Sequence, residues 1–278
     1  MRFAKYWTVA KNSSGTVTAK GWSDASQDDA AKKASDRLQR ILNWLHNPQR
    51  DLDRYQYVVD DMICEQVIDR IESRDGNEIA VVSRNAYGSL ILNITCVMIV
   101  DIDVESTIKR PGMIARLFGA KATSVDSVKA RKLEQIRQWQ NDHVDYSFRV
   151  YRTAAGLRAI VTNRVFESID ASTLQIMAEL DSDPLYRNLC KSQKCFRARL
   201  TPKPWRIGCR SPREKFPFAS KQSEQAFDKW YETYCQRTKN WSVCEFLESI
   251  GSRSIHPIAE QIIDLHDGFC CAKELKLA

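Results

Sequence analysis

The sequence predicts an α+β fold with a mostly antiparallel sheet and helices packed on one side of it. Segments with strand periodicity occur in closely spaced pairs joined by short turns, which is typical of antiparallel strands. Segments with helical periodicity lie between these pairs. With 10 glycines and 8 prolines in 278 residues, the chain does not have the composition of a fibrous or low-complexity protein. A chain of this length can bury a substantial core.

The N-terminal segment predicts a β-hairpin followed by two helices. Strands are expected at residues 6–10 and 17–21, because turn-forming Asn, Ser and Gly residues separate them. Ser26 begins the first helix as a cap, and the Asn-Pro pair at 47–48 ends it. A second helix is expected to begin at Asp61, because apolar residues then recur at helical spacing through Ile71.

The central feature of the sequence is the apolar run at residues 89–103, which follows a strand at 79–83 and a turn at 84–88. An almost unbroken β-branched and apolar run is typical of a strand buried on both faces. This run ends in Asp101 and Asp103. Because side chains alternate along a strand, both carboxylates are expected on one face and Ile102 on the other.

Two carboxylates on one side of a strand end predict a site for a divalent cation. Carboxylate oxygens suit the hard cations Mg²⁺ and Mn²⁺, and like charges so close together repel unless a cation lies between them or one carboxyl is protonated. The alternative is a strand that leaves the core and ends in polar residues. A single D-x-D motif does not decide between these two interpretations.

The second half of the chain predicts a regular order of helices and strands. The expected elements are a helix from Ser124 through Trp139, strands at 146–152 and 157–162 around a small-residue turn at 153–156, a helix opened by Ser172, a helix capped by Asp183 with Pro184 at its first position, a strand at 195–200, a helix with an aromatic stripe at 227–234, a strand at 241–247 and a helix after Pro257.

Arginines are unusually frequent in the hairpin at 146–162. Arg152 and Arg158 flank its small-residue turn, and a hairpin beside the apolar run should be buried. A buried arginine needs an anionic partner. Asp145, Asp170 and a bound phosphate are the candidates.

The densest positive charge lies at residues 191–215. Arg197 and Arg199 alternate on one face of the expected strand, and Lys203 and Arg206 follow in a proline-stiffened loop. Phenylalanine and tryptophan residues are interleaved with these charges, and the whole chain carries a net charge of +7. This segment is therefore the best candidate for binding nucleotides or single-stranded nucleic acid.

The chain has no apolar leader at its N-terminus and no apolar run of bilayer length, so we expect a cytoplasmic location and no membrane partner. Its nine cysteines are then expected to be reduced thiols. His256, His266, the Cys270-Cys271 pair and the Cys190-x4-Cys195 pair raise the question of zinc. The absence of any C-x2-C motif argues against a structural zinc site.

In its order of elements the chain resembles the catalytic core of archaeo-eukaryotic primases and primase-polymerases. That core has a strand ending in D-x-D, a strand–turn–strand unit that contacts the incoming nucleotide, a further Asp and downstream basic residues. The sequence at 100–103, Val-Asp-Ile-Asp, matches the first motif. In the second motif, the strand–turn–strand unit, Arg158 stands where the family has His. Asp181 and Asp183 are the candidates for the third, although Asp183 is also explained as a helix cap.

The resemblance covers about residues 79–206 and implies an RRM-like or primase-like sheet within an α+β core at 78–210. Periodicity predicts an N-terminal hairpin-and-helix part at 1–77 and a mainly helical part at 211–278. The resemblance also implies a divalent-metal-dependent protein that handles nucleotides or nucleic acid by primase-like nucleotidyl transfer. The implied residues are Asp101, Asp103 and Asp183 for Mg²⁺ or Mn²⁺, Arg158 in catalysis, and Arg152, Arg197, Arg199, Lys203 and Arg206 for phosphates.

Two alternatives of other classes stay open. The first is a catalytically inactive member of the same fold that acts as a nucleic-acid or protein-binding module, and the loss of the His at position 158 favours it. The second is a small-molecule enzyme that uses Asp101 and Asp103 without nucleic acid.

Overall fold

The computed structural model describes residues 1–46, 62–104, 125–271 and 274–278, and this part of the chain is α+β with mostly antiparallel strand pairing, as the sequence predicts. The strands are β1 (Tyr6–Lys11), β2 (Thr18–Ser23), β3 (Gln66–Glu72), β4 (Glu78–Arg84), β5 (Leu90–Ile94), β6 (Ile99–Asp103), β7 (Phe148–Thr153), β8 (Gly156–Val161), β9 (Phe196–Arg199), β10 (Trp241–Ser242), β11 (Cys244–Ile250) and β12 (Lys276–Leu277). The helices are α1 (Gln27–His46), α2 (Val125–Asp142), α3 (Ala171–Glu179), α4 (Pro184–Gln193), α5 (Lys221–Thr238) and α6 (Pro257–Cys270), with a 3-10 helix at Pro204–Ile207.

Two four-stranded antiparallel sheets form the centre of the described structure. One has the strand order β3-β4-β5-β9 and the other β11-β7-β8-β6. Because β3 pairs with β4 and β11 pairs with β7, strands from the predicted ranges 1–77 and 211–278 both join sheets of the range 78–210. One hydrophobic core also contains residues from α6 and from both sheets. An RRM-like arrangement of these strands stays a prediction.

The apolar run at 89–103 is two strands and not the single strand that its hydrophobicity predicts. β5 belongs to the first sheet and β6 to the second, with a bend at residues 95–97 between them. Val97 and Met98 are fully buried here. Thr95 is the one polar residue of the bend, and neither Gly nor Pro marks the break. Backbone groups at the bend are still satisfied, because Val161 N–H donates to Met98 O at 3.0 Å.

The helix predicted from Asp61 through Ile71 is also wrong, because residues 66–72 form the edge strand β3. Asp61 itself lies outside the described residues. The β3–β4 register shifts between Val67 and Asp69 and again between Ile71 and Glu72. These irregularities disturb the strict alternation that identifies a strand, so the apolar positions mimic helical spacing.

The two sheets meet along one edge of each, beside helix α4. The strands at these edges are β9 in the first sheet and β6 in the second. The Tyr186 hydroxyl connects them, since it donates to Ile99 O of β6 at 3.0 Å and accepts from Arg197 N–H of β9 at 3.1 Å. We call the region where β6, β8 and β9 approach one another the sheet junction.

None of the described helices combines the length and apolar character needed to cross a bilayer. All nine cysteines lie in the described part of the chain and carry free thiols.

Candidate functional site

The sheet junction contains an ion pair between neighbouring strands. Asp101 of β6 lies directly opposite Arg158 of β8 in the antiparallel register. The Arg158 guanidinium donates from Nε to Asp101 Oδ1 at 2.7 Å and from Nη2 to Oδ2 at 3.2 Å. The Arg158 side chain is only 4% exposed, whereas that of Asp101 is 34% exposed. Asp101 thus binds a buried arginine on one side and contacts solvent on the other.

Asp101 is the partner of Arg158, and neither Asp145 nor Asp170 is. Asp145 instead pairs with Arg164, and Asp170 caps helix α3. Burial by itself would lower the pKa of Arg158, but the charge of Asp101 and its hydrogen bonds raise this pKa above its usual value. Arg158 therefore remains a cation inside the protein.

Arg199 brings a second guanidinium to the junction without a matching carboxylate. Its Nη1 atom is buried and has no hydrogen-bond partner in the described part of the chain. Burial lowers the pKa of Arg199, and the positive charge of Arg158 lowers it further, while Asp101 acts in the opposite direction. The Arg158 Nη1 group also donates to the Arg199 carbonyl at 3.2 Å. The charge of Asp101 therefore acts on both arginines, but only Arg158 is hydrogen-bonded to it.

The other two predicted metal ligands lie near Asp101 without converging on it. Asp103 is half-buried and stands opposite Gly156. Asp183 N–H donates to Asp101 O at 3.0 Å, so the Asp183 backbone lies beside β6. Its carboxylate caps helix α4 by accepting from Tyr186 N–H at 2.9 Å. Where the chain is described, the clusters of three potential ligand atoms within 4.8 Å do not include these aspartates.

Only glycine fits at position 156, where the turn meets the end of β6. A Cβ atom there would lie 1.8 Å from the carbonyl oxygen of Ile102. This close approach sets the register that places Asp101 opposite Arg158.

The remaining predicted phosphate-binding residues have different environments. Arg152 forms an exposed ion pair with Glu245, and the buried Arg197 forms an ion pair with the half-buried Glu65. The Lys203 ammonium lies 5.7 Å from the ring centre of Trp205. The charge of Arg206 is close enough to contribute to the lowered pKa of Arg199. The junction therefore unites Asp101, Arg158 and Arg199, with Arg206 near it, and it does not include Arg152.

His266 is a residue of the junction that sequence reasoning connected only with zinc. It is fully buried, and its Nε2 atom lies 3.2 Å from Arg158 Nη1. Its Nδ1 atom lies 2.9 Å from Asp267 Oδ1. The sequence contains no signal for the contact with Arg158, because 108 residues separate the two positions.

Comparisons of this chain with protein-family models, with curated proteins and with solved structures find no match. The resemblance to primases therefore stays a prediction from the motifs.

Proposed function

We propose that this chain binds the phosphate groups of a nucleotide or of single-stranded nucleic acid at the sheet junction, as a binding module without polymerase chemistry. The observation that carries this proposal is the buried Arg199 Nη1, which lacks an acceptor in the described part of the chain and lies near a second cation. Burying an unpaired charge is unfavourable. A phosphate oxygen would supply both the missing acceptor and the missing negative charge.

The aromatic residues after β9 favour a nucleotide or a nucleic-acid strand over inorganic phosphate. Trp205 is 51% exposed, and its ring makes an edge contact with Tyr87 at 5.3 Å between ring centres. An exposed indole beside basic residues offers a surface on which a base can stack. Lys203 and Arg206 flank Trp205 in the sequence and would contact the backbone phosphates.

The Asp101–Arg158 pair supports binding without catalysis. A bidentate guanidinium neutralises the carboxylate that would otherwise be the first ligand of a catalytic cation. Arg158 stands where the resembled family has a nucleotide-contacting His, and here its Nε and Nη2 donate to Asp101.

Metal-dependent nucleotidyl transfer is the second candidate, and the position of Asp183 favours it. The hydrogen bond from Asp183 N–H to Asp101 O keeps a third carboxylate close to the D-x-D motif. Asp101 is also partly exposed, so it retains lone pairs for a cation. Asp101, Asp103 and Asp183 would then hold Mg²⁺ or Mn²⁺, which would neutralise charge on a transferring phosphoryl group.

The first experiment measures binding of a fluorescent single-stranded oligonucleotide and of a fluorescent ATP analogue over a range of salt concentrations. Arg199→Gln removes the proposed contact, and Arg152→Gln removes the same charge from an exposed ion pair as a matched control. Loss of a charge-assisted hydrogen bond of roughly 1.5–3 kcal/mol predicts about 10- to 100-fold weaker binding by Arg199→Gln. The control should bind like the wild type.

The same experiment separates the two ligand classes. Binding of the oligonucleotide with a steep salt dependence, and weak binding of ATP, would identify nucleic acid as the ligand. Absence of binding of either probe at low salt, or equal binding by Arg199→Gln and wild type, would contradict the proposal.

Mn²⁺ titration of the wild type against Asp101→Asn and Asp103→Asn tests the second candidate. Binding that is lost in both variants, together with extension of a primed template by the wild type, would establish the metal-dependent enzyme. Equal binding by all three proteins would contradict the metal-dependent enzyme.

We also propose the cytoplasmic location that the sequence predicts, and the nine free thiols support it.

A further inference from the structure

Behind the Asp101–Arg158 pair lies a cluster of soft ligand atoms, which we call the thiol–imidazole cluster: Cys244, His266 and Cys270. All three residues are fully buried. Their ligand atoms lie within 4.8 Å of one another, and Cys244 Sγ is 3.7 Å from His266 Nε2. The half-buried Cys271 is adjacent, with its Sγ 3.8 Å from that of Cys244.

Helix geometry brings these residues together. His266 and Cys270 are four residues apart on α6, so their side chains project from one face of the helix. Cys244 is the first residue of β11 and meets this face. The end of α6 is attached to the same region, since Val243 N–H and the Ser242 hydroxyl donate to Cys270 O at 3.0 and 2.6 Å. The cluster is therefore built on regular elements and not on a free loop.

Two of the separations in this cluster match those of tetrahedral metal ligands. With zinc bond lengths of about 2.3 Å to sulfur and about 2.0–2.1 Å to nitrogen, tetrahedral ligand atoms lie roughly 3.5–3.8 Å apart. The separations of Cys244 Sγ from His266 Nε2, 3.7 Å, and from Cys271 Sγ, 3.8 Å, correspond to edges of such a tetrahedron.

The surroundings of His266 orient its imidazole as a ligand. Because Arg158 Nη1 is a donor and faces Nε2, that nitrogen is the acceptor and Nδ1 carries the proton. Nδ1–H then donates to Asp267 Oδ1 at 2.9 Å. The Asp267 carboxylate is fixed in turn by the Tyr151 hydroxyl at 2.7 Å and Arg149 Nη2 at 2.8 Å. A carboxylate that holds the second nitrogen in this way is the usual support of a metal-ligating histidine.

We propose that Cys244, His266 and Cys270 bind a thiophilic divalent cation of the Zn²⁺ class, with Cys271 as the fourth ligand. Binding releases the thiol protons of the coordinating cysteines to solvent and forms metal–sulfur bonds. Two cysteine thiolates neutralise the divalent cation. A third thiolate, from Cys271, gives the site one net negative charge, which the positive charge of Arg158 offsets. Because the metal takes the lone pair of His266 Nε2, the hydrogen bond from Arg158 Nη1 to this nitrogen is lost. Arg158 Nη1 keeps its hydrogen bond to Arg199 O. The two proposals rest on different observations, although Arg158 adjoins both sites.

Zinc content and cobalt spectroscopy test this proposal on the full chain without a histidine tag. The protein is purified from zinc-supplemented cells for metal analysis, then stripped with a chelator and titrated with Co²⁺. We expect one zinc ion per chain and, with Co²⁺, the thiolate-to-metal charge-transfer and visible d–d bands of tetrahedral coordination. Cys244→Ser and Cys270→Ser should lose the bound metal, and Cys271→Ser should weaken its binding.

Cys190→Ser is the matched control, because Cys190 is also a buried cysteine near the end of a helix. It should retain the metal. The wild-type cobalt spectrum decides thiolate ligation even if a buried variant fails to fold. Absence of the charge-transfer band in the wild type, unchanged metal content in a folded Cys244→Ser, or equal loss in Cys190→Ser would overturn the site. Unchanged affinity in Cys271→Ser would overturn the fourth ligand.

Discussion

Arg197 and Arg199 lie two residues apart on β9, yet their environments are opposite. Arg197 Nη2 donates to Glu65 Oε1 at 2.6 Å, and its Nη1 donates to the Gln193 side chain. Arg197 is buried and Glu65 is half-buried, with side chains 10% and 14% exposed. Arg199 instead has a buried Nη1 without a partner in the described structure and lies near the cation Arg158.

The two pKa shifts express this difference. Burial would lower the pKa of Arg197, but the charge of Glu65 and its hydrogen bond raise it. Burial lowers the pKa of Arg199, and Arg158 adds to the effect. The two arginines of an R-x-R motif therefore need not have the same role. One arginine of this motif is neutralised within the protein, and the other retains a charge for which an external anion is the partner that we propose.

The largest expected effect is on the Arg197 side of this comparison. Arg197→Met leaves the Glu65 carboxylate buried without its cation, which should lower the free energy of unfolding by about 3–5 kcal/mol. Arg199→Met removes a charge that has no such partner and should change stability by about 1 kcal/mol or less. Urea unfolding of the two variants measures both values. Equal losses of stability would mean that the two arginines are equivalent and would contradict the difference in their environments.

The Asp101–Arg158 pair should give an intermediate effect. Asp101→Asn leaves Arg158 buried without a counter-charge, but Asp101 is partly exposed, so water replaces some of the lost interaction. We expect a loss of about 1–3 kcal/mol. In a double-mutant cycle, Asp101→Asn in an Arg158→Met background should have little further effect. Additive losses in this cycle would show that the observed pair does not stabilise the fold.

The smallest effect should come from Arg152, on the surface of the same hairpin. Its ion pair with Glu245 is exposed, with side chains 42% and 53% exposed. Arg152→Gln should therefore change the free energy of unfolding by about 0.5 kcal/mol or less. Thermal unfolding at low and high salt checks this value, and a loss as large as that of Asp101→Asn would be the contrary result.

The local pattern of the sequence predicted much of the fold. The hairpin of β7 and β8, the strand β9 with its alternating arginines, and the α6 helix after Pro257 follow from periodicity and from turn and cap residues. Local pattern failed at the bend at 95–97, because neither Gly nor Pro marks it, and in β3, because bulges disturb the alternation.

The partners within the site were harder to predict, because they depend on contacts between distant residues. Glu65 and Arg197 are 132 positions apart, and Asp101 and Arg158 are 57 positions apart, so neither pair leaves a local signal in the sequence. The residue types of the junction were recognised, and strand alternation gave their faces. Which carboxylate neutralises which arginine follows only from the register of β6 against β8 and from the packing of β9 beside them.

Stability measured with and without a phosphate ligand tests the central claim, that Arg199 awaits an external anion, most directly. Urea unfolding of the wild type and of Arg199→Met is measured with and without a phosphate ligand at saturating concentration. The ligand is either ATP or a single-stranded oligonucleotide, whichever binds the wild type more tightly. At about 100 times the dissociation constant, the ligand should stabilise the wild type by about 2.7 kcal/mol and Arg199→Met by much less. Equal stabilisation of both proteins, or of neither, would contradict the account.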